Sequence, residues 1–216
     1  MTDIPTVAIV DDDKAVRDSL QWLVESVGLK AKTYESAQRF LEELNQDDFG
    51  CAVLDIRLPG MSGLDLQDRL NERGETMPTI IITGHADVPV AVRAMKAGAM
   101  DFVEKPFSNQ MLLDRIRDAL EADDAHRTTT QQVEQIEKRL SRLTPREREV
   151  MDLVVQGRLN KQIAADLGLS HKTIEVHRAH VMEKMEAETL ADLVRMAVAV
   201  ETASQQPGGG PGPDWA

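Results

Sequence analysis

Aromatic side chains are scarce in this sequence: four Phe, two Trp and one Tyr make up 3% of 216 residues. Platforms that stack single-stranded bases need several such rings, so the composition argues against that class. Cysteine is nearly absent. Cys51 alone rules out an internal disulfide framework and a Cys-rich zinc site. No apolar run approaches the roughly 18–20 residues that span a bilayer. The opening Met1-Thr2-Asp3-Ile4-Pro5 lacks the basic and apolar regions of a secretion signal. There is no basic surplus either: Lys+Arg 25 against Asp+Glu 37 gives a formal charge of −12. A chain this acidic is expected to be soluble, cytoplasmic and no general polyanion binder.

The acid is unevenly spread. Residues 1–122 carry a net charge of −9, whereas residues 139–203 are balanced with 10 basic and 10 acidic side chains. That asymmetry predicts two domains with different partners: 1–122, a partly helical linker over 123–141, and 142–203. The linker opens polar, from Glu121 to Thr130. Val133, Ile136, Leu140 and Leu143 then recur at helical spacing and predict a short amphipathic helix packed within the molecule. From Ser204 to Ala216, four Gly and three Pro in thirteen residues predict a disordered tail, with Trp215 solvated.

The first domain alternates strand-like and helix-like runs. Residues 4–10, 51–54, 79–82 and 102–103 read as buried strands. Helices are expected along 16–27 and near 36–44, 64–73, 87–97 and 108–121. The alternation predicts a parallel sheet covered on both faces, with functional residues at the carboxyl ends of its strands. Asp11, Asp12 and Asp13 follow the first strand, and Asp55 and Thr83 end two others. Lys105 follows the last, just before Pro106. Clustered carboxylates repel one another, and a hard cation such as Mg²⁺ relieves that cost. With the metal bound, one carboxylate can attack a phosphoryl group while lysine and metal neutralise the developing charge.

Asp11-Asp12, Asp55-Ile56-Arg57-Leu58-Pro59-Gly60-Met61-Ser62-Gly63, Thr83-Gly84-His85-Ala86 and Lys105-Pro106-Phe107 together resemble a two-component receiver domain over about residues 3–122. The resemblance implies a flavodoxin-like fold with a five-stranded parallel sheet. It implies phosphorylation of Asp55 by a sensor histidine kinase. Mg²⁺, or Mn²⁺ in its stead, would sit on Asp11, Asp12, Asp55 and the Arg57 backbone carbonyl. Lys105 would contact the phosphoryl group beside a cis bond to Pro106, with Thr83 and Phe102 at the switch positions. Asp13 is better read as a helix N-cap than as a third ligand. Asp47, Asp48 and Asp101 read as solvated or turn residues, His85 as a surface loop residue, and Cys51 as a small core side chain. Asp11-Asp12-Asp13 also fits the start of a haloacid-dehalogenase-type phosphatase, but that pattern wants Thr or Val where Ala15 stands and leaves Asp55, Thr83 and Lys105 unexplained.

The second domain opens with Leu143-Thr144-Pro145-Arg146-Glu147: Thr144 as N-cap, Pro145 at N1 and Glu147 closing a capping box. Gly157 should stop this helix. A short helix from Asn160 to Leu167, a glycine turn, and a longer helix from Ser170 to about Met185 give the helix-turn-helix order, and a fourth helix covers about 189–202. A wheel places Ile174, His177, Val181 and Met185 inward, with His177 read as a hydrogen-bonded histidine at the core's edge. Lys172, Glu175, Val176, Ala179 and Glu183 lie opposite. Leu143 to Glu147, Asn160 to Ala164 and Ser170 to His177 resemble the LuxR/NarL-type output domain, and Thr-Ile-Glu-Val at 173–176 resembles its FixJ-type branch.

That second resemblance implies an all-α four-helix domain that reads the DNA major groove through Glu175, Val176 and Ala179. Asn160, Lys161, Ser170, His171, Lys172, Thr173, Arg178 and His180 would flank that face and hold phosphates. Together the resemblances imply a FixJ-type response regulator that is not an enzyme with a separate substrate. It would form a homodimer on phosphorylation through Val88, Val90, Val92 and Phe102, then bind double-stranded promoter DNA. RNA polymerase is a further partner this reading allows, and a membrane is not. The alternatives are a regulator that acts through protein contacts, or a constitutive dimer that ignores phosphate.

Overall fold

Every residue of Phe49–Asp55 is buried, as a strand covered on both faces by helices must be. In this computed structural model the described residues are 5–44, 49–84 and 87–205. They divide into two compact units, the first ending at His126 and the second beginning at Arg127.

The first unit runs β1 (Thr6–Val10), α1 (Lys14–Glu25), β2 (Lys30–Tyr34), α2 (Ala37–Glu43), β3 (Phe49–Asp55), α3 (Gly63–Glu72), β4 (Thr79–Thr83), α4 (Val88–Lys96) and β5 (Asp101–Glu104), and then enters α5 (Asn109–Leu140). All strand pairings are parallel, in the order β2-β1-β3-β4-β5, which is the flavodoxin-like order. Strand side chains alternate between two cores. Ala8, Val10, Ala52, Leu54 and Ile81 face α2, α3 and α4 through Phe40, Leu66, Leu70 and Ala94. Val7, Ile9, Cys51, Val53, Ile80 and Ile82 face α1 and α5 through Leu20, Val24, Leu112 and Ile116.

Three expectations are corrected. β2 gives no strand signal in the sequence, because it lies at a sheet edge and its Lys-Ala-Lys-Thr-Tyr carries no apolar run. Asp101 is no solvated turn residue: it begins β5 and accepts from Arg115 Nε at 2.7 Å. The polar stretch at 121–130 is wholly helical, since α5 continues through it without interruption. No Gly or Pro falls between Asn109 and Leu140, and lack of an apolar stripe does not by itself break a helix.

The second unit holds the end of α5, then α6 (Pro145–Val155), α7 (Asn160–Leu167), α8 (His171–Met185) and α9 (Leu190–Gln205). Thr144 caps α6 in a reciprocal capping box with Glu147, and Gly157 follows that helix with φ +81°. Gly168, left-handed at φ 66°, ends α7, and Ser170 caps α8 through Thr173 N. Val150, Met151, Val154, Ile163, Ile174, Val181, Met185 and Leu193 form the core, against which Ile136, Leu140 and Leu143 pack. The expectations for His85, Asp47, Asp48 and the tail after residue 205 concern positions outside the described residues.

Candidate functional site

The carboxyl ends of β1 and β3 deliver Asp11 and Asp55 to one place, and the residue after β5 delivers Lys105. Lys105 Nζ donates to Asp11 Oδ2 at 2.8 Å and to Asp55 Oδ1 at 2.7 Å. Both carboxylates are buried, Asp11 at 1% and Asp55 at 6% exposure. Their other oxygens accept backbone N–H groups, Asp11 Oδ1 from Asp13 at 2.9 Å and Asp55 Oδ2 from Arg57 at 2.5 Å. Burial by itself would lower the Lys105 pKa, but the hydrogen bonds and charges of the two aspartates outweigh it and the net shift is upward.

Neighbouring groups hold these elements in place. Asp13 caps α1 by accepting from Ala15 N at 2.8 Å. Arg17 Nη1 donates to the Asp11 carbonyl at 2.7 Å. Thr83 is buried at the end of β4, and its carbonyl accepts from Lys105 N at 2.7 Å. The Lys105–Pro106 bond is cis. Phe102 is half-buried against the core on the α4 side. Val90 packs on that same core, whereas Val88 and Val92 are exposed. Cys51 is fully buried, and that burial, helped by the charge of Asp123, pushes its thiol up to about 12. It is a core side chain and no thiolate nucleophile.

The expected gathering of three carboxylates is not what the structure shows. Asp12 is exposed, and among the described residues no three His, Cys, Asp or Glu side chains are arranged to hold a metal ion. The Lys105 ammonium bridges the two buried acids instead. The donor chemistry nevertheless fits a hard divalent cation, because Asp11 and Asp55 place two carboxylates on one ammonium and Asp12 follows Asp11 in the chain.

In the second unit the outer face of α8 is open: Lys172, Glu175, Val176, Ala179 and Glu183 are all exposed. His171 and His180 are exposed too, and Lys161 is exposed on α7. Ser170 and Thr173 share a hydroxyl contact of 2.7 Å at the start of α8. His171 Nδ1 lies 3.4 Å from Glu175 Oε1. Arg178 and Asn160 are not free polar groups, since Arg178 Nη1 donates to Asn160 Oδ1 at 2.9 Å. His177 is half-buried, but its Nδ1 has no hydrogen-bond partner, contrary to expectation.

A family profile described as response regulator receiver domain matches residues 7–117, and one described as bacterial regulatory proteins, luxR family, matches residues 141–197. This chain belongs to the response-regulator family. The regulator is 47% identical over 192 residues to the transcriptional regulatory protein FixJ of Azorhizobium caulinodans, covering 89% of this chain and 91% of that one. It is 45% identical over 190 residues to the response regulator protein TmoT of Ectopseudomonas mendocina, covering 88% and 86%. Among solved structures, the response regulator StyR matches with TM-score 0.82 at 43% identity, covering 91% of this chain and 99% of that chain. Full-length FixJ from B. japonicum matches with TM-score 0.58 at 41% identity, covering 93% and 99%. The response regulator thus pairs a receiver with a LuxR-type DNA-binding domain and is a transcription regulator of FixJ-like kind.

Two residues of this regulator carry more than their sequence context shows. A Cβ built on Gly63 would stand 2.2 Å from the Asp55 carbonyl oxygen, so only glycine lets the first turn of α3 sit against the strand that holds Asp55. Glu147, read from sequence as a cap partner, is buried and also accepts from Lys184 Nζ at 2.6 Å. His180 Nδ1 lies 3.5 Å from its other oxygen. The Lys184 hydrogen bond first, then that of Thr144 N, holds Glu147 down at about 2. His180 and Lys184, four apart on α8, were the available signal.

Proposed function

We propose that a sensor histidine kinase phosphorylates Asp55 and that the phosphorylated chain dimerises and binds promoter DNA. The observation that carries this reading is the Lys105 bridge between two buried carboxylates at the strand ends. An Asp55 oxygen attacks the phosphorus of the donor phosphohistidine; the O–P bond forms, the N–P bond breaks, and the imidazole leaves and takes up a proton. Lys105 then neutralises the phosphoryl oxygens rather than the bare carboxylate. Asp11, Asp12, Asp55 and the Arg57 carbonyl would hold Mg²⁺ or Mn²⁺, which supplies further charge neutralisation. Thr83 moves toward the phosphoryl group, and Phe102 moves into the space vacated. That shift favours a dimer through Val88, Val90, Val92 and Phe102.

The chain turns over no separate substrate. It acts in the cytoplasm, and RNA polymerase is a partner once DNA is bound. On DNA, Glu175, Val176 and Ala179 meet base edges from the exposed face of α8, and Lys172 and Lys161 meet phosphates. Mass mapping after incubation with Mg²⁺ and acetyl phosphate should place one acyl phosphate on Asp55; a phosphoryl group elsewhere, or still present in Asp55→Asn, defeats the assignment. Lys172→Ala should weaken binding on all duplexes and flatten its salt dependence, while Glu175→Ala should mainly change sequence preference. Equal losses on all sequences for both variants remove Glu175 from base reading.

A further inference from the structure

Helix α7 is short, and its own end contacts are Gln162, whose Oε1 accepts from Leu159 N at 2.9 Å, and the left-handed Gly168. It has eight residues, and of these only Ile163 is fully buried. Its N-cap position is Leu159, whose side chain cannot accept from the first amides. A helix this short is marginal on its own. Two arginines from neighbouring helices meet its two ends. Arg178 Nη1, from α8, donates to Oδ1 of Asn160, the first residue of α7, at 2.9 Å. Arg146 Nη2, from α6, donates to the carbonyl of Leu167, the last residue of α7, at 2.5 Å. The second contact caps a carbonyl that the helix leaves unpaired and places a cation at the negative end of its dipole.

We infer that Arg178 and Asn160 form a brace that positions α7 for DNA, and that neither is itself a phosphate ligand. This rests on the DNA-binding reading of the second unit. In a helix-turn-helix the first helix crosses the nucleic-acid backbone while the second enters the groove, so the pose of α7 against α8 sets where phosphates are met. Asn160 presents its carbonyl oxygen to Arg178, and one arm of the Arg178 fork is spent inside the protein. Lys161, exposed one residue further along α7, is the cation that this pose delivers to a phosphate. A fork donor locked to an acceptor is not replaced by lysine, whose ammonium is a point charge on a longer, freer stem.

The test uses the full chain with acetyl phosphate and a random-sequence duplex, titrated over a range of salt. Arg178→Lys keeps the charge, and Asn160→Ala changes none. Each should lose about tenfold in affinity with the salt slope unchanged, and the double variant should be no weaker than the weaker single one. Lys161→Ala should instead lower the slope by about 0.9. Amide exchange read on the same variants without DNA should speed up in α7 while α6 stays protected. Wild-type affinity in Arg178→Lys, or a double variant whose loss is the product of the two singles, overturns the brace. So does unchanged α7 exchange in both variants, which decides the matter even if the wild-type chain binds no duplex. That last result defeats the DNA-binding reading separately.

Discussion

In the first unit Lys105 stands between two buried carboxylates, whereas in the second Lys184 serves Glu147 alone. Both sites pair carboxylate with ammonium, and they differ in their charge balance. Glu147 accepts from Lys184 and from Thr144 N, and it is held at about 2. Such a carboxylate has its negative charge matched by one ammonium and fixes α6 against α8, with His180 3.5 Å from its other oxygen. Asp11 and Asp55 share one ammonium, so one negative charge is in excess in a buried place. A divalent cation is the kind of charge that offsets such an excess. Every oxygen of these two aspartates has a hydrogen-bond partner, so the difference between the two places is one of charge.

The largest way to break the contrast is Gly63→Ala. Its methyl has no room beside the Asp55 carbonyl, and the backbone there cannot yield as a flexible side chain would. Thermal melting should show the first unit destabilised by about 3 kcal/mol, with phosphorylation lost and the second unit's transition unmoved. Glu147→Ala should do the converse. It strands the Lys184 ammonium and the Thr144 N–H, and should cost the second unit about 2 kcal/mol while acetyl phosphate still labels Asp55.

Asp11→Asn sharpens the comparison in the opposite sense. It leaves a one-to-one pair of Lys105 and Asp55, so the first unit should melt higher, by about 1 kcal/mol of stability, although its phosphorylation falls. The smallest effects are those of pH. Glu147 titrates lower in the folded chain than in the unfolded one. Its contribution is therefore full above its ordinary value of 4.5 and is lost as pH falls toward about 2. Lys105 is shifted up, so its contribution is full below its ordinary 10.5 and declines only as pH rises beyond that. Unit-resolved melts in acid and in alkali should separate the two: acid weakens the Glu147 pair, alkali the Lys105 pair.

The first unit's half of this contrast is legible in the sequence, where a residue's role follows from its place in the chain; the Lys184–Glu147 pair is not. Asp11, Asp55, Thr83 and Lys105 each follow or end a strand-like run, so a parallel sheet had to bring them to one edge. Asp13, Thr144 and Ser170 announced their helices by cap chemistry alone. What escaped was set by tertiary neighbours. β2 carries charge because an edge strand is only half covered, so it gave no apolar signal. Asp101 reads as a turn residue until Arg115 is placed beside it. Arg178 and Asn160 are eighteen residues apart, and no local pattern announces that one holds the other. Asp12 is exposed where its neighbour Asp11 is buried, a difference that adjacency in the chain does not announce.

The measurement that goes most directly to the central claim is sedimentation of the full chain with Mg²⁺, with and without acetyl phosphate, beside Asp55→Asn. The phosphodonor should convert the wild-type chain from monomer to dimer and leave Asp55→Asn a monomer. A wild-type chain of the same mass in both conditions, or an Asp55→Asn variant that dimerises equally well with the phosphodonor, contradicts it.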